Sequence, residues 1–383
     1  MENSMSQKNI YILSASDRYN YGDLLFPIIL IKELEKLGDY KFFNIATIKS
    51  DLSKRGALPT QNYKALYSAT GQNNYLIVAG GEVLGANWSR LYSFLKPLYY
   101  KVYIKTKRKH ILESLLKRLT GNKKNPIPFI PLSDELLNKF KIIYHAVGGA
   151  GISHHFCKNK IAEAFSKAIY ISLREGETFK DIKENLKISK AQLTPDSAIL
   201  MSDYYDIKRT DEKYIAFQIG RYKLGATLFE IKEQLELTYK RSGLPIYLIP
   251  IGNCPGHDDH IPLKWLEKHL NCPCKYIEPS NIEVIMQTIA AAKIFIGTSL
   301  HGIITAMSFC VPYIGFNPSI GKMQRYLKTW APEPLNKTIA AQNIAEQVTT
   351  ALNIDRTILK EKCQEQKLLA KSSFKKIHNS IEL

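Results

Sequence analysis

The segment 294–316 constrains the fold of this chain more than any other, because it has the pattern of a complete strand–helix–strand unit. Ile294 to Gly297 form a short apolar run typical of a buried strand. Thr298 and Ser299 follow, and their side-chain oxygens suit the position just before a helix. Apolar residues then recur at helical spacing until Pro312, which ends the helix before a second strand begins. The unit therefore has a polar tip between its first strand and its helix.

His301 falls in the first turn of this predicted helix. The unpaired amides at a helix N-terminus attract anions, so a ligand bound at this tip would lie close to the imidazole. A residue that merely closes the loop would have the same local pattern. The segment alone leaves both roles open.

The length and the net charge bound the class of protein. A chain of 383 residues is too long for one compact core, and two domains of about 150 to 200 residues are expected. The formal net charge of +18 indicates an acidic partner. Nucleic acid, an anionic membrane surface and negatively charged metabolites all meet that description.

The expected location is the cytoplasm. Six cysteines are too thinly spread for a disulfide framework, which favours reduced thiols. Residues 1–8 lack the pattern of a signal peptide, and no apolar run is long enough for a transmembrane helix. Membrane contact, if it occurs, is therefore expected to be peripheral, on the inner face of the membrane.

Strands and helices alternate along both halves of the chain. Three predicted strands of the first half end in glycine-containing turns: 9–16, followed by Gly22; 75–79, followed by Gly80-Gly81; and 142–147, followed by Gly148-Gly149-Ala150-Gly151. Strands at 214–219 and 246–251 begin the same alternation again. This pattern predicts an α/β fold with two parallel-sheet lobes facing each other across a cleft, where ligands bind beyond the carboxyl ends of the strands.

Composition places the domain boundaries. We expect an N-terminal lobe over 1–202, a polar linker over 203–212, a C-terminal lobe over 213–354 and a charged terminal helix over 355–383. A basic insertion interrupts the N-terminal lobe at about 90–124.

The basic insertion holds eleven Lys or Arg residues against the single acid Glu113. Aromatic residues are interleaved with them: Tyr92, Phe94, Tyr99, Tyr100 and Tyr103. A basic helix with an apolar face is typical of contact with an anionic membrane. Nucleic-acid contact and the solvated face of an ordinary helical insertion are alternative interpretations.

Two kinds of site lack sequence support. A zinc centre would draw on Cys254, His257, His260, Cys272 and Cys274, but their spacing matches no usual structural site, so no metal is predicted and the histidines are assigned to a polar rim of the cleft. The chain also lacks a Walker-type phosphate loop and a Gly-x-Ser-x-Gly elbow. Cations remain near the expected cleft: Arg174, Arg221, His301, Lys322 and Arg325. They suit a small substrate bearing phosphate or carboxylate.

A series of short motifs resembles the polysaccharide pyruvyl transferase family. The matching elements are Asn20-Tyr-Gly-Asp23, Gly80-Gly81, Gly149-Ala-Gly-Ile152, Ile171-Ser-Leu-Arg174, Pro195-Asp196, Gly297-Thr-Ser-Leu-His-Gly302, Val311-Pro312 and Gly315. Each is short, but they occur in the family's order. The resemblance implies two Rossmann-like, GT-B-like lobes and transfer of pyruvate from phosphoenolpyruvate to sugar hydroxyls as a ketal on a surface polysaccharide.

The resemblance also implies roles for individual residues. His301 is the expected acid-base or phosphate-contacting group, and Arg174 is expected to bind an anion. Further substrate-binding candidates are Ser299, Gly302, Asp23, Asp196, Lys322 and Arg325. No cofactor beyond phosphoenolpyruvate as donor substrate is expected. The expected acceptor is a glycan or a lipid-linked saccharide, an anionic membrane surface is a candidate partner, and no nucleic acid is expected.

Two positions depart from the family's pattern. Ser299 stands where family members often carry arginine, and Glu175 stands where an aspartate often follows the matched arginine. The first departure removes a cation that would hold the donor, so either Lys322 or Arg325 substitutes for it or the donor differs. Alternative functions are a GT-B-like glycosyltransferase that uses a nucleotide sugar and a basic, non-enzymatic binding protein.

Overall fold

The computed structural model describes residues 7–120, 125–149, 151–155, 157–207, 210 and 213–383. Its strands are β1 Lys8–Leu13, β2 Tyr40–Ala46, β3 Gln61–Asn62, β4 Asn74–Ala79, β5 Lys141–Val147, β6 Tyr170–Leu173, β7 Gln192–Leu193, β8 Ile215–Gln218, β9 Ile246–Leu248, β10 Cys274–Tyr276, β11 Ile294–Gly297 and β12 Tyr313–Gly315.

The α-helices within these ranges alternate with the strands. They are α1 Tyr21–Leu34, α2 Trp88–Ser93, α3 Pro97–Lys105, α4 Lys109–Thr120, α5 Asp134–Lys139, α6 Lys158–Lys167, α7 Gly176–Lys180, α8 Leu228–Ser242, α9 His260–His269, α10 Ile282–Ala291, α11 Leu300–Ser308, α12 Gly321–Trp330, α13 Ile344–Leu352 and α14 Arg356–Glu382.

The described strands form two parallel sheets. The first has the order β3-β2-β1-β4-β5-β6-β7 and the second the order β10-β9-β8-β11-β12. β4, β8 and β11 are buried along their whole length, as expected for strands covered by helices on both faces. In each sheet the chain reverses its direction of travel beside the first strand of the lobe, β1 or β8, and such a switch point is where ligands bind. The prediction of a two-lobed, Rossmann-like fold is confirmed.

Two elements differ from the sequence-based expectation. Helix α1 begins at Tyr21, so Gly22 and Asp23 lie in its first turn and not in a loop before it. The basic insertion forms three short helices, α2 to α4, because Asn87 caps the first of them and Pro97 starts the second. Within the described ranges, no helix has both the length and the apolar character needed to cross a membrane.

The two lobes share buried contacts beneath the cleft. A 3₁₀ segment, Ser197–Asp203, lies between α1 and α11, and its Ser202 Oγ bonds the Ser308 carbonyl oxygen at 2.9 Å. Tyr21 Oη and Thr305 Oγ1 bond each other at 2.9 Å across the same junction. Of the predicted linker, residues 208, 209, 211 and 212 lie outside the described residues.

The terminal helix α14 returns from the C-terminal lobe to the first sheet. Tyr75 Oη donates to the Ile381 carbonyl at 2.8 Å, and Lys8 pairs with Glu382 at 2.6 Å. Such contacts tie the last helix to the first strands. The relative placement of the lobes is thus supported at two separate points.

Candidate functional site

A cleft of about 250 Å³ lies between the two lobes, at the carboxyl ends of the central strands. The N-terminal lobe contributes Arg18, Asn20, Asp23, Glu82, Arg90 and Arg174, and the C-terminal lobe contributes Gln218, Lys223, His257, Asp259, Ser299, His301 and Lys322. Charged and polar side chains thus surround a small cavity. Both lobes are needed to complete it.

Helix α11 presents His301 to the cleft from its first turn. Ser299 caps this helix by accepting a hydrogen bond from the Gly302 amide at 3.3 Å. The side chain of His301 is largely buried, with the residue only 8% exposed, and the Phe26 ring meets it edge to face at 5.3 Å between centroids. The imidazole is therefore held in one orientation by packing.

Gly22 explains how the histidine fits against the first lobe. A Cβ atom on residue 22 would lie 1.8 Å from His301 Nδ1, so any side chain there would occupy the same space as the ring. Helix α1 thus approaches the imidazole at a residue that has no side chain. The first turn of α1 and the first turn of α11 meet at this contact.

Asp196 lies behind His301, on the side away from the cleft. Its Oδ2 is 3.6 Å from His301 Nε2, too long for a hydrogen bond but within ion-pair distance. Nε2 is buried and has no hydrogen-bond partner among the described residues. Burial opposes ionisation of Asp196, yet His301, Arg174 and the Ala198 amide together hold its pKa below the usual value. A proton exchanged with a molecule in the cleft would therefore be carried by Nδ1, the opposite nitrogen.

Arg174 holds Asp196 in place together with two other carboxylates. The guanidinium is 1% exposed and pairs at 3.1 Å with each of Glu82, Glu175 and Asp196. Since buried charges require partners, this arrangement stabilises both the arginine and the acids. Anion binding by Arg174 stays a prediction, because its positive charge is already shared among three carboxylates.

Arg325 connects two of these acids to the C-terminal lobe. It lies on α12 and pairs with Glu82 at 2.8 Å and with Glu175 at 3.2 Å. These contacts bridge the lobes beside the cleft, and Arg325 itself is not among the lining residues. Glu175 contacts both Arg174 and Arg325. These contacts account for a glutamate at the position where the family often has an aspartate.

Three cations face the cleft without a carboxylate partner. We call Arg90, Lys223 and Lys322 the cation cluster; within the described residues, none of them forms an ion pair. Burial, Lys223 and Arg174 lower the pKa of Lys322 to about 8, although Glu82 and Asp23 oppose this shift. Burial and Arg90 likewise lower the pKa of Lys223, against Asp259, Cys254 and Asp23. The cations lower one another's pKa values, which indicates that they lie close together, as the cations of an anion site do.

His257 and Asp259 complete the C-terminal wall. Burial, followed by the surrounding cations, lowers the pKa of His257 well below its usual value, so the imidazole is neutral at pH 7. Burial raises the pKa of Asp259 to about 6, although its Oδ2 accepts hydrogen bonds from Gln218 and from the Ile251 and Gly252 amides. His257 was predicted to lie in the polar rim of the cleft, and it lines the cleft together with Asp259.

The predicted residues divide into three groups. His301, Arg174, Asp23, Ser299 and Lys322 line the cleft. Asp196 and Arg325 lie behind the lining, in contact with residues that reach it. Gly302 is buried against Phe295, where an added Cβ would lie 2.4 Å from Cζ, and it is not among the lining residues.

Sequence reasoning assigned no role to Arg90, Lys223 or Glu82. Arg90 belongs to the basic insertion, and nothing in its local pattern separates it from the other cations there. Lys223 follows Gly220 beyond β8, and that position past a strand end was the one available signal. Glu82 directly follows the predicted Gly80-Gly81 turn.

Comparison with solved structures shows the same fold. S. aureus MnaA, in a structure with UDP, has 11% identity and a TM-score of 0.54, over 96% of this chain and 94% of that one. UDP-GlcNAc 2-epimerase from Neisseria meningitidis, bound to UDP-GlcNAc, has 12% identity and a TM-score of 0.52, over 98% and 99%. Arabidopsis thaliana UGT89C1, complexed with UDP-L-rhamnose, has 11% identity and a TM-score of 0.51, over 99% and 100%. These likenesses show a GT-B-like architecture.

Comparison with known sequences identifies the family. No curated protein matches the chain. The sequence model of the polysaccharide pyruvyl transferases, however, matches residues 20–320, which include β1's following turn, the histidine of α11 and most of both lobes. On this match, the chain belongs to the polysaccharide pyruvyl transferase family, a family of transferases.

Proposed function

We propose that this protein transfers pyruvate from phosphoenolpyruvate to two hydroxyls of a saccharide, forming a ketal in surface polysaccharide biosynthesis. The observation that carries the proposal is that the cation cluster and His301, with Asp196 behind its imidazole, line one small cleft. Phosphoenolpyruvate carries a phosphate, a carboxylate and a carbon that must be protonated. The cleft supplies cations for the anions and an imidazole for the proton.

The size of the cleft favours this donor over a nucleotide sugar. Its volume of about 250 Å³ lies below the range of roughly 300 to 1,000 Å³ typical of pockets for larger, drug-sized ligands. A nucleotide sugar is several times larger than phosphoenolpyruvate. A cleft of about 250 Å³ therefore suits the smaller donor better.

The first chemical step is protonation of the donor. The His301 imidazolium gives its Nδ1 proton to the methylene carbon C3, and the double-bond electrons form the new C–H bond, leaving an oxocarbenium-like C2. Asp196 beside Nε2 stabilises the imidazolium and keeps the other proton on that nitrogen. The cation cluster holds the phosphate and the carboxylate throughout.

Two additions complete the transfer. A saccharide hydroxyl attacks C2 and loses its proton, the C2–O bond to phosphate breaks, and a second hydroxyl attacks the same carbon. The two hydroxyls lose one proton each. One of these protons restores the proton that His301 gave to C3, and the other leaves on hydrogen phosphate. Asp23 lines the cleft and is proposed to orient the acceptor, with its Oδ2 fixed by the Asn20 amide at 2.7 Å.

Phosphate release tests the proposal. The purified protein is incubated with phosphoenolpyruvate and a panel of saccharides, and inorganic phosphate is measured. We expect release that depends on the acceptor. Release of UDP from a UDP-sugar, without phosphate from phosphoenolpyruvate, would instead support a glycosyltransferase, and tight, salt-sensitive nucleic-acid binding without turnover would support a binding protein.

Lys322 predicts a pH dependence of donor binding. With a pKa of about 8, the side chain is charged below that pH and loses its charge as the pH rises through it. We therefore expect KM for phosphoenolpyruvate to rise above about pH 8 and kcat/KM to fall there, because the latter reports groups of the free enzyme. In Lys322→Arg, this alkaline limb, the fall in kcat/KM, should move to a higher pH. An exposed lysine of the same helix, Lys328, provides the control, and an identical limb in the Lys322→Arg variant would contradict the assignment.

Gly22 predicts a loss of rate through displacement of the imidazole. In Gly22→Ala the added methyl and His301 Nδ1 cannot both keep their positions, so the ring must move. A displacement of about 1 Å lowers kcat on the order of 10²-fold. Gly85→Ala is the matched control, because a Cβ there meets no atom within 4 Å. An active Gly22→Ala enzyme would show that the position of His301 is not critical.

A further inference from the structure

We propose that helices α3 and α4 of the basic insertion form a docking surface for an anionic lipid bilayer. Neither helix contains a buried residue. Their exposed large apolar side chains are Leu98, Tyr99, Val102 and Ile104 on α3 and Ile111, Leu115 and Leu119 on α4, with Leu98 and Leu119 67% and 70% exposed. We call these seven residues the apolar face.

The apolar face is organised along the helices. Leu98 and Val102 are four residues apart, as are Ile111, Leu115 and Leu119, so each set forms a stripe along its helix. These two short helices hold half of the exposed large apolar residues found in the described ranges. Such concentration indicates an interaction surface and not the usual scatter of single residues.

A groove of about 450 Å³ continues the apolar face inward. It lies between α2, α3 and α4 and is lined mainly by aromatic and aliphatic side chains, including Leu95, Leu112 and Leu116. Tyr99 and Val102 belong both to this groove and to the exposed face. The helices therefore leave apolar surface open between them.

The charge of the insertion identifies the partner as anionic. Seven cations lie on α3, α4 and the turn between them: Lys101, Lys105, Lys107, Arg108, Lys109, Lys117 and Arg118. The single acid, Glu113, is directed inward, where it accepts hydrogen bonds from the Trp88 amide at 3.1 Å and the Ser89 amide at 2.7 Å and pairs with Lys117. The remaining cations have no acid within α3 and α4 to balance them.

A bilayer surface satisfies both properties at once. Apolar side chains enter the boundary between headgroups and acyl chains, and long Lys and Arg side chains extend to the lipid phosphates. Nucleic acid would match the charge but would leave the leucine stripes exposed to water. The combination of apolar stripes and cations therefore favours lipid.

The insertion also connects this surface to the cleft. Its Arg90 belongs to the cation cluster, its Phe94 meets the His257 ring at 5.7 Å, and its Tyr100 meets Tyr222 of the C-terminal lobe at 5.5 Å. Docking would thus hold the cleft near the membrane surface. If the proposed transfer is correct, the natural acceptor is a saccharide carried on a lipid, a consequence that rests on the proposed function.

Sedimentation with vesicles tests the docking surface. The full chain is mixed with vesicles of phosphatidylcholine alone or of phosphatidylcholine and phosphatidylglycerol in equal parts. We expect binding to the second kind only, and weaker binding at high salt. No binding to either kind would overturn the proposal.

Two variants separate the cationic and apolar contributions. Replacing Lys105, Lys107 and Arg108 by Gln should weaken binding about fivefold per cation, or roughly a hundredfold together. Replacing Leu115 and Leu119 by Gln should weaken it at least about tenfold. The controls are Lys64, Lys160 and Lys268 replaced by Gln, and Leu368 and Leu369 replaced by Gln, all exposed residues elsewhere on the protein.

The outcomes distinguish membrane docking from the proposed transfer. Wild-type affinity in both insertion variants would overturn it. The surface is instead an interface between two copies if the wild type is a dimer that binds no vesicles and the leucine variant is a monomer. That result would also overturn the proposal. The variants should retain wild-type turnover with a water-soluble saccharide, and vesicle binding is measured without turnover, so failure of the proposed transfer would be seen separately.

Discussion

His301→Ala is expected to abolish measurable transfer while leaving the fold intact. In the proposed mechanism the imidazole protonates the donor, and general acid catalysis contributes about 10²- to 10⁴-fold to a rate. Its removal leaves the cation cluster unchanged, so affinity for phosphoenolpyruvate should fall much less than kcat. Steady-state kinetics and calorimetric titration of the donor measure the two effects.

The controls for this variant use the same residue types. His269→Ala removes an exposed histidine of α9 and should leave both kcat and donor affinity unchanged. Asp196→Asn keeps the shape of the residue behind Nε2 but removes its charge. We expect a lower kcat than that of the wild type at every pH. Full activity in His301→Ala would remove this histidine from the mechanism.

Arg174→Met is expected to destabilise the protein by about 3 to 5 kcal/mol, because it leaves buried carboxylates without their partner. The side chains of Glu175 and Asp196 are fully buried, and each pairs with the guanidinium at 3.1 Å. Denaturant-induced unfolding measures the loss. Arg174→Lys should recover part of the stability, since it restores the charge but not the three-way geometry.

The pH dependence of this difference provides a second test. In the wild type, the folded pKa of Asp196 lies below its usual value, so ionised Asp196 stabilises the fold above about pH 4 and this contribution is lost as the pH falls through the folded pKa. In Arg174→Met, the buried charge of Asp196 has lost its arginine partner, so protonation of Asp196 stabilises the folded protein. We therefore expect the stability difference between the two proteins to shrink from pH 7 to pH 4. A difference that stays constant with pH would contradict the role assigned to the carboxylates.

The architecture was predictable because it depends on features that repeat along the chain. Buried strands such as β4 are continuous apolar runs, and the glycine turns after them mark the carboxyl edge where the cleft forms. The segment 294–316 contains its strand, cap, helix and next strand in order, so local pattern alone defines it. Gly22 was predicted in the turn after the first strand but lies in the first turn of α1. Glycine weakens helical propensity, yet the contact with His301 leaves no room for a side chain there.

The site was only partly predictable because its charges come from distant parts of the chain. His301 and Asp196 carried family motifs, and the structure brings them to within 3.6 Å. The cation cluster carries no motif: Arg90, Lys223 and Lys322 come from three separate elements and meet only when the lobes face each other. The cation cluster also supplies the positive charge that is missing at Ser299. The sequence could assign that charge only to Lys322 or Arg325.

A crystal structure with bound phosphoenolpyruvate tests the central claim most directly. We predict that the phosphate and the carboxylate lie within hydrogen-bonding distance of the cation cluster and that the methylene carbon faces Nδ1 of His301. Phosphoenolpyruvate bound outside the cleft, or with its methylene carbon directed away from His301, would contradict it.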